Sequence, residues 1–121
     1  MWLPSVTFDT VASFIDGADM ASNGSFLAGF REWLIVKVDD GDNLHWTALI
    51  LELAFPKARS PRKELEACED HLPVIEIMFQ LLDSFCQERQ ESGLRLIYLT
   101  YEKWLRKQSW YKRGWPGWVE L

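Results

Sequence analysis

Apolar residues recur at helical spacing through most of this chain. Phe8, Val11, Ile15 and Ala18 fall on one face of a predicted helix from about Phe8 to Ala21, with Ala12 and Phe14 flanking it. Thr7 is placed to cap that helix, and Asp9 suits the positive end of its dipole. Asn23-Gly24 stops it. Ser25 then reads as the cap of a second helix carrying Phe26, Leu27, Phe30, Trp33 and Leu34 at i, i+3, i+4 spacing. Its end, Leu34-Ile35-Val36-Lys37-Val38, is nearly continuous and β-branched, so a short strand is the alternative there; the upstream period favours helix. Asp39-Asp40-Gly41-Asp42 is a turn by composition. Asn43 reads as the cap of a third helix, from about Leu44 to Phe55, with Trp46, Leu49, Ile50 and Leu53 inward and Pro56 ending it.

Past the basic linker Lys57 to Arg59, Ser60-Pro61 starts a short, highly charged segment that runs to Asp70. Pro73 opens a longer helix to about Gln90. Val74, Ile75, Met78, Leu81, Leu82 and Phe85 make its apolar stripe, opposite Glu76, Gln80, Asp83 and Gln87. Ser92-Gly93 breaks the chain. A last helix to about Gln108 presents Leu94, Ile97, Tyr98, Tyr101 and Leu105, with Trp104 beside them. Leu96 and Leu99 lie off that stripe, so its first half looks apolar nearly all round, the pattern of a helix central in a bundle. From Ser109 the period fails. Two glycines, a proline and four large aromatics read instead as an ordered tail lying along the bundle. The pattern predicts an all-α protein: one domain over residues 1–121, a compact bundle of about four to five helices with an ordered aromatic C-terminal tail.

Composition narrows the function more than the fold. A chain of 121 residues, 48% hydrophobic and 26% charged, is globular rather than disordered. Its net charge of −5 disfavours a general nucleic-acid binder and favours basic partners. Seven tryptophans require either a heavily aromatic core or an adhesive surface. Cys68 and Cys86 are too few for a disulfide framework, and apolar neighbours predict buried free thiols. The first residues show neither a basic start nor an apolar run, so no secretion leader is expected, and no apolar run approaches the roughly 18 residues of a spanning helix. A cytoplasmic protein is the expectation.

Candidate chemistry is sparse. His45 and His71 have no second ligand at metal spacing; Glu52, seven residues from His45, makes a pair and not a site. Asp39-Asp40-Gly41-Asp42-Asn43 fails the calcium-loop pattern, because the twelfth position is always apolar. There is no nucleophile elbow and no glycine-rich phosphate loop, and neither a metal nor a cofactor is expected. Two contact surfaces remain. One is acidic: Asp39, Asp40 and Asp42 at the turn, with Glu64, Glu66, Glu69 and Asp70 on the charged helix. The other is basic and aromatic: Trp110, Tyr111, Lys112, Arg113, Trp115 and Trp118, preceded by Lys103, Trp104, Arg106 and Lys107. The acidic set suits a non-catalytic protein that binds a basic face of a toxin or effector, as a small bacterial immunity or inhibitor protein does. The tail suits an adaptor for nucleic acid or an anionic membrane, a protein interface, or a structural cover for the bundle. An enzyme with an unfamiliar site, for example Glu52 near His45 in a pocket, is the third reading.

Overall fold

A computed structural model describes residues 6–108 and residue 110. They form six α-helices: α1 (Phe8–Ala21), α2 (Phe30–Val38), α3 (Trp46–Ala54), α4 (Pro61–Ala67), α5 (Leu72–Ser92) and α6 (Leu94–Arg106). No strand occurs among the described residues, and Leu34 to Val38 is helix. The number is six rather than the four to five expected, because the short charged segment closes a complete helix of its own, burying Leu65. Gly93, at φ 87° and ψ 152°, separates α5 from α6 by a single residue, where the sequence placed the break. The aromatic tail expected from Ser109 lies outside the described residues except for Trp110.

One cluster of buried side chains draws on all six helices. Phe8, Ala12 and Ile15 enter it from α1, and Val74, Ile75, Met78, Leu82 and Phe85 from α5. The centre belongs to α2, which packs on α3, α5 and α6 and buries Phe30, Trp33, Leu34 and Ile35. Around it the rings of Phe30, Trp33, Trp46 and Phe85 meet with centroids 5.0 to 6.1 Å apart. The uniformly apolar end of α2 is thus the mark of the central helix. The first half of α6, expected in that role, is peripheral: Ile97 is buried, while Leu96 and Leu99 remain 51% and 39% exposed.

Two helix starts differ from expectation, and arginines explain both. Ser25 caps nothing. Arg89 of α5 donates from Nη1 to the carbonyl oxygens of Ser25, Phe26 and Ala28 at 2.9 to 3.1 Å, which holds this stretch outside a helix. Asp19 also accepts from the Leu27 N–H at 2.8 Å. The chain re-enters helical geometry only after Gly29, at φ 86°. In the same way Arg31 donates to the carbonyls of Asp42 and Leu44, so α3 starts at Trp46 rather than after Asn43. His45 is the cap, its Nδ1 accepting from the Thr47 N–H at 3.3 Å.

Long-range polar bonds fix the outer helices. The Phe8 N–H at the start of α1 donates to His71 Nδ1 at 3.1 Å, and the Trp46 indole donates to Asp16 at 2.9 Å. Arg62 grips Asp9 through both carboxylate oxygens, at 2.6 and 2.9 Å. Cys68 and Cys86 are free and only half-buried, correcting the expectation of buried thiols. Cys68 is the residue that caps the end of α4, and Cys86 flanks the buried stripe of α5 beside Phe85. No described helix is long and apolar enough to cross a membrane.

Candidate functional site

The acidic turn expected as a contact surface meets α6 instead, at Tyr101 and Trp104. Asp39 ends α2 in the left-handed conformation, at φ 62°, and its carboxylate accepts from the Trp104 indole N–H at 2.7 Å. The Asp42 carboxylate accepts from the Tyr101 hydroxyl, and Asp40 accepts from the Gly41 N–H at 2.8 Å. Trp104 is buried and stacks on Tyr101 at 6.2 Å. Burial pushes the Tyr101 phenol pKa well above its ordinary value, and the bond to Asp42 pushes it further. The acidic turn therefore anchors α6 in the free protein. Within the turn, Asp40 alone bonds only to its neighbouring residue.

The aromatic surface is reduced correspondingly. Trp110 is 44% exposed and packs edge-on against Trp104 at 6.3 Å. Lys103 and Lys107 are exposed nearby in sequence, and Arg106 pairs with Glu102 at 3.3 Å, as their i, i+4 spacing predicts. Tyr111, Lys112, Arg113, Trp115 and Trp118 lie outside the described residues.

The second acidic set keeps its side chains in water. Glu64, Glu66, Glu69 and Asp70 are all exposed. Glu66 lies 3.7 Å from Arg62, and Asp70 accepts from the Leu72 N–H at 3.0 Å, supporting the entry into α5. This set continues along α5, where Glu76, Asp83, Glu88 and Glu91 are exposed. From Glu64 to Ser92 there are eight acidic residues and one cation, Arg89, which is committed to the turn before α2. The outward stripe of α5 reads Glu76, Gln80, Asp83, Gln87 and Glu91, each three or four residues from the last.

Large apolar side chains border this stripe. Phe14 is 78% exposed, Leu72 53% and Phe79 48%. Their placement follows from helix phase. On α1, Asp9 and Asp16 turn towards Arg62 and Trp46, so Phe14 lies on the opposite flank. On α5, Glu88 turns towards Trp33 of α2, accepting from its indole N–H, so Leu72 and Phe79 lie on the opposite flank. On both helices these side chains thus lie away from the polar contacts just named, and α1 packs against α5. Sequence reasoning placed Phe14 beside the core stripe and passed over Phe79. The signal was present: neither falls on the a/d-like stripe of its own helix. Phase alone does not say whether a neighbouring helix covers such a residue.

Both histidines accept backbone N–H groups through Nδ1. Among the described residues no group of three or more His, Cys, Asp or Glu could hold a metal ion. Asp9 is held below the usual carboxylate range by the hydrogen bond from Arg62, an effect partly opposed by burial. Comparison of the chain with family models, with curated proteins and with solved structures finds no match.

Proposed function

We propose that this chain is a non-catalytic protein-binding protein of the inhibitor or immunity kind, which neutralises a basic toxin or effector by covering it directly. The observation that carries the reading is the acidic stripe of α5 flanked by exposed Leu72 and Phe79, with Phe14 exposed on α1, the helix packed against α5. Contiguous large apolar side chains in water mark an interaction surface. A polar rim around an apolar centre is the usual anatomy of a protein interface. The sign of the rim selects the partner: seven carboxylates, with Glu88 set apart by its bond to Trp33, against one internally bonded arginine accelerate encounter with a basic face and repel acidic competitors. The sites expected at Asp39 and Asp42 do not enter the proposal, because their carboxylates are bonded to α6. The set from Glu64 to Asp70 enters it together with Glu76, Asp83 and Glu91.

The test uses affinity capture from the native cell with the wild type and two double variants, Glu76→Lys/Asp83→Lys and Phe14→Ser/Phe79→Ser. The captured partner is then titrated at low and high salt. A basic partner is expected whose affinity falls with salt. Charge reversal weakens it and flattens that dependence, and the serine variant weakens it at every salt concentration. A partner bound equally by all three proteins rejects this face.

A further inference from the structure

A cleft of about 470 Å³ opens between the start of α1, α3 and the turn into α4. Leu44, Ala48, Leu51 and Pro61 supply its apolar lining. Its volume lies within the range typical of small-molecule sites. Two charged pairs face it, and they are not equivalent. Asp9 and Arg62 satisfy one another with two parallel bonds, so that wall is self-neutralised. Glu52, half-buried on α3, and Arg59, exposed in the turn before α4, also line the cleft. Neither makes a hydrogen bond or an ion pair among the described residues. Ser60, also lining it, makes no capping bond with its side chain.

We infer that this cleft binds a small zwitterion, specifically an α-amino acid with an apolar side chain. Its ammonium group would meet Glu52, its carboxylate Arg59, and its side chain the apolar lining. The assignment follows from charge. A simple anion meets Arg59 but faces the Glu52 carboxylate, and a simple cation meets Glu52 but faces Arg59. Only a molecule carrying both signs satisfies both groups, and a guanidinium is well shaped for a carboxylate. Asp9 and Arg62 add no net charge because they are already paired. The cleft shares no residue with the stripe of α5 or with Phe14, so this site and the protein-binding face stand or fall separately.

The experiment is an NMR titration of the isotope-labelled protein at neutral pH. Leucine and phenylalanine are the zwitterions, leucinamide the cation and N-acetylleucine the anion. Saturable shifts are expected at the Thr47, Ala48 and Leu51 amides with a zwitterion. Each lone-charge analogue should bind about tenfold more weakly, the equivalent of one lost charge-assisted bond in a partly solvated site. Glu52→Gln should reduce leucine to the affinity of N-acetylleucine, and Arg59→Gln to that of leucinamide. Both positions are at the surface, and circular dichroism checks that the fold is retained. No saturable shift with either amino acid overturns the assignment. Equal affinity for all four probes, or unchanged leucine affinity in both variants, overturns it as well.

Discussion

Asp39 carries two burdens at once. Its backbone adopts a conformation that suits glycine, asparagine or aspartate at a helix C-terminus, and its carboxylate holds the Trp104 indole. Substitutions separate the two. Asp39→Asn keeps an oxygen acceptor and the backbone tolerance, so its cost is the smallest. Asp39→Gly loses the bond to the indole N–H, which water partly replaces at this exposed position, a net loss of about 1 kcal/mol offset in part by relief at φ. Asp39→Ala loses the bond and strains the backbone, and is expected to fall about 1 kcal/mol below the glycine variant in urea unfolding. Tyr101 offers a pH test of the same junction. A phenol whose folded pKa lies above its unfolded value contributes stability that is complete below about pH 10 and declines as pH rises beyond it. Wild type should therefore lose more stability than Tyr101→Phe between about pH 9 and pH 11, narrowing the gap between them. A gap that stays constant across that interval contradicts the burial of this hydroxyl. None of this pairing is visible in sequence, because Asp39 and Trp104 are joined only by the packing of α6 on α2.

Among the elements, the entry to α2 depends most on its neighbours. Gly29 is left-handed, and a Cβ there would lie 2.6 Å from Leu94 Cδ1 and 3.4 Å from Ile97 Cγ2. Gly29→Ala is expected to lower stability by about 2 kcal/mol, from backbone strain together with displacement of the α6 side chains. Gly17→Ala, with nothing within 4 Å on the exposed side of α1, is expected to raise it by about 0.5–1 kcal/mol. Thermal unfolding of the two variants in opposite directions is the check. These elements also show how far local pattern reaches. The stripes of α1 and α5, and the turn chemistry of Asn23-Gly24 and Gly93, were readable because period and breakers act within a few residues. The starts of α2 and α3 were not. Arg89 and Arg31 reach across 61 to 64 and 11 to 13 positions to take the carbonyls that a longer helix would have used.

For the molecule as a whole, core and candidate interface are distinguished by which aromatic residues are covered. Phe8 is fully buried, so Phe8→Ala is expected to cost about 3–5 kcal/mol in unfolding experiments. Phe14→Ser, six residues on and 78% exposed, should leave unfolding within about 0.5 kcal/mol of wild type while weakening the partner. A large loss of stability at Phe14 would assign that ring to the fold and withdraw it from the interface. Residue type and spacing along the chain are enough to show that it is helical, where most helices end, which faces are apolar and that its charge is acidic. Which apolar helix is central and which acidic groups remain available follows only from how the helices pack. That packing sets the carboxylates of Asp39 and Asp42 against Trp104 and Tyr101, and leaves Glu76, Asp83 and Glu91 in water on the helix that carries exposed Phe79. The physical reason is that burial and hydrogen-bond partnership are properties of pairs distant in sequence. A carboxylate is a strut or a contact according to what folds onto it.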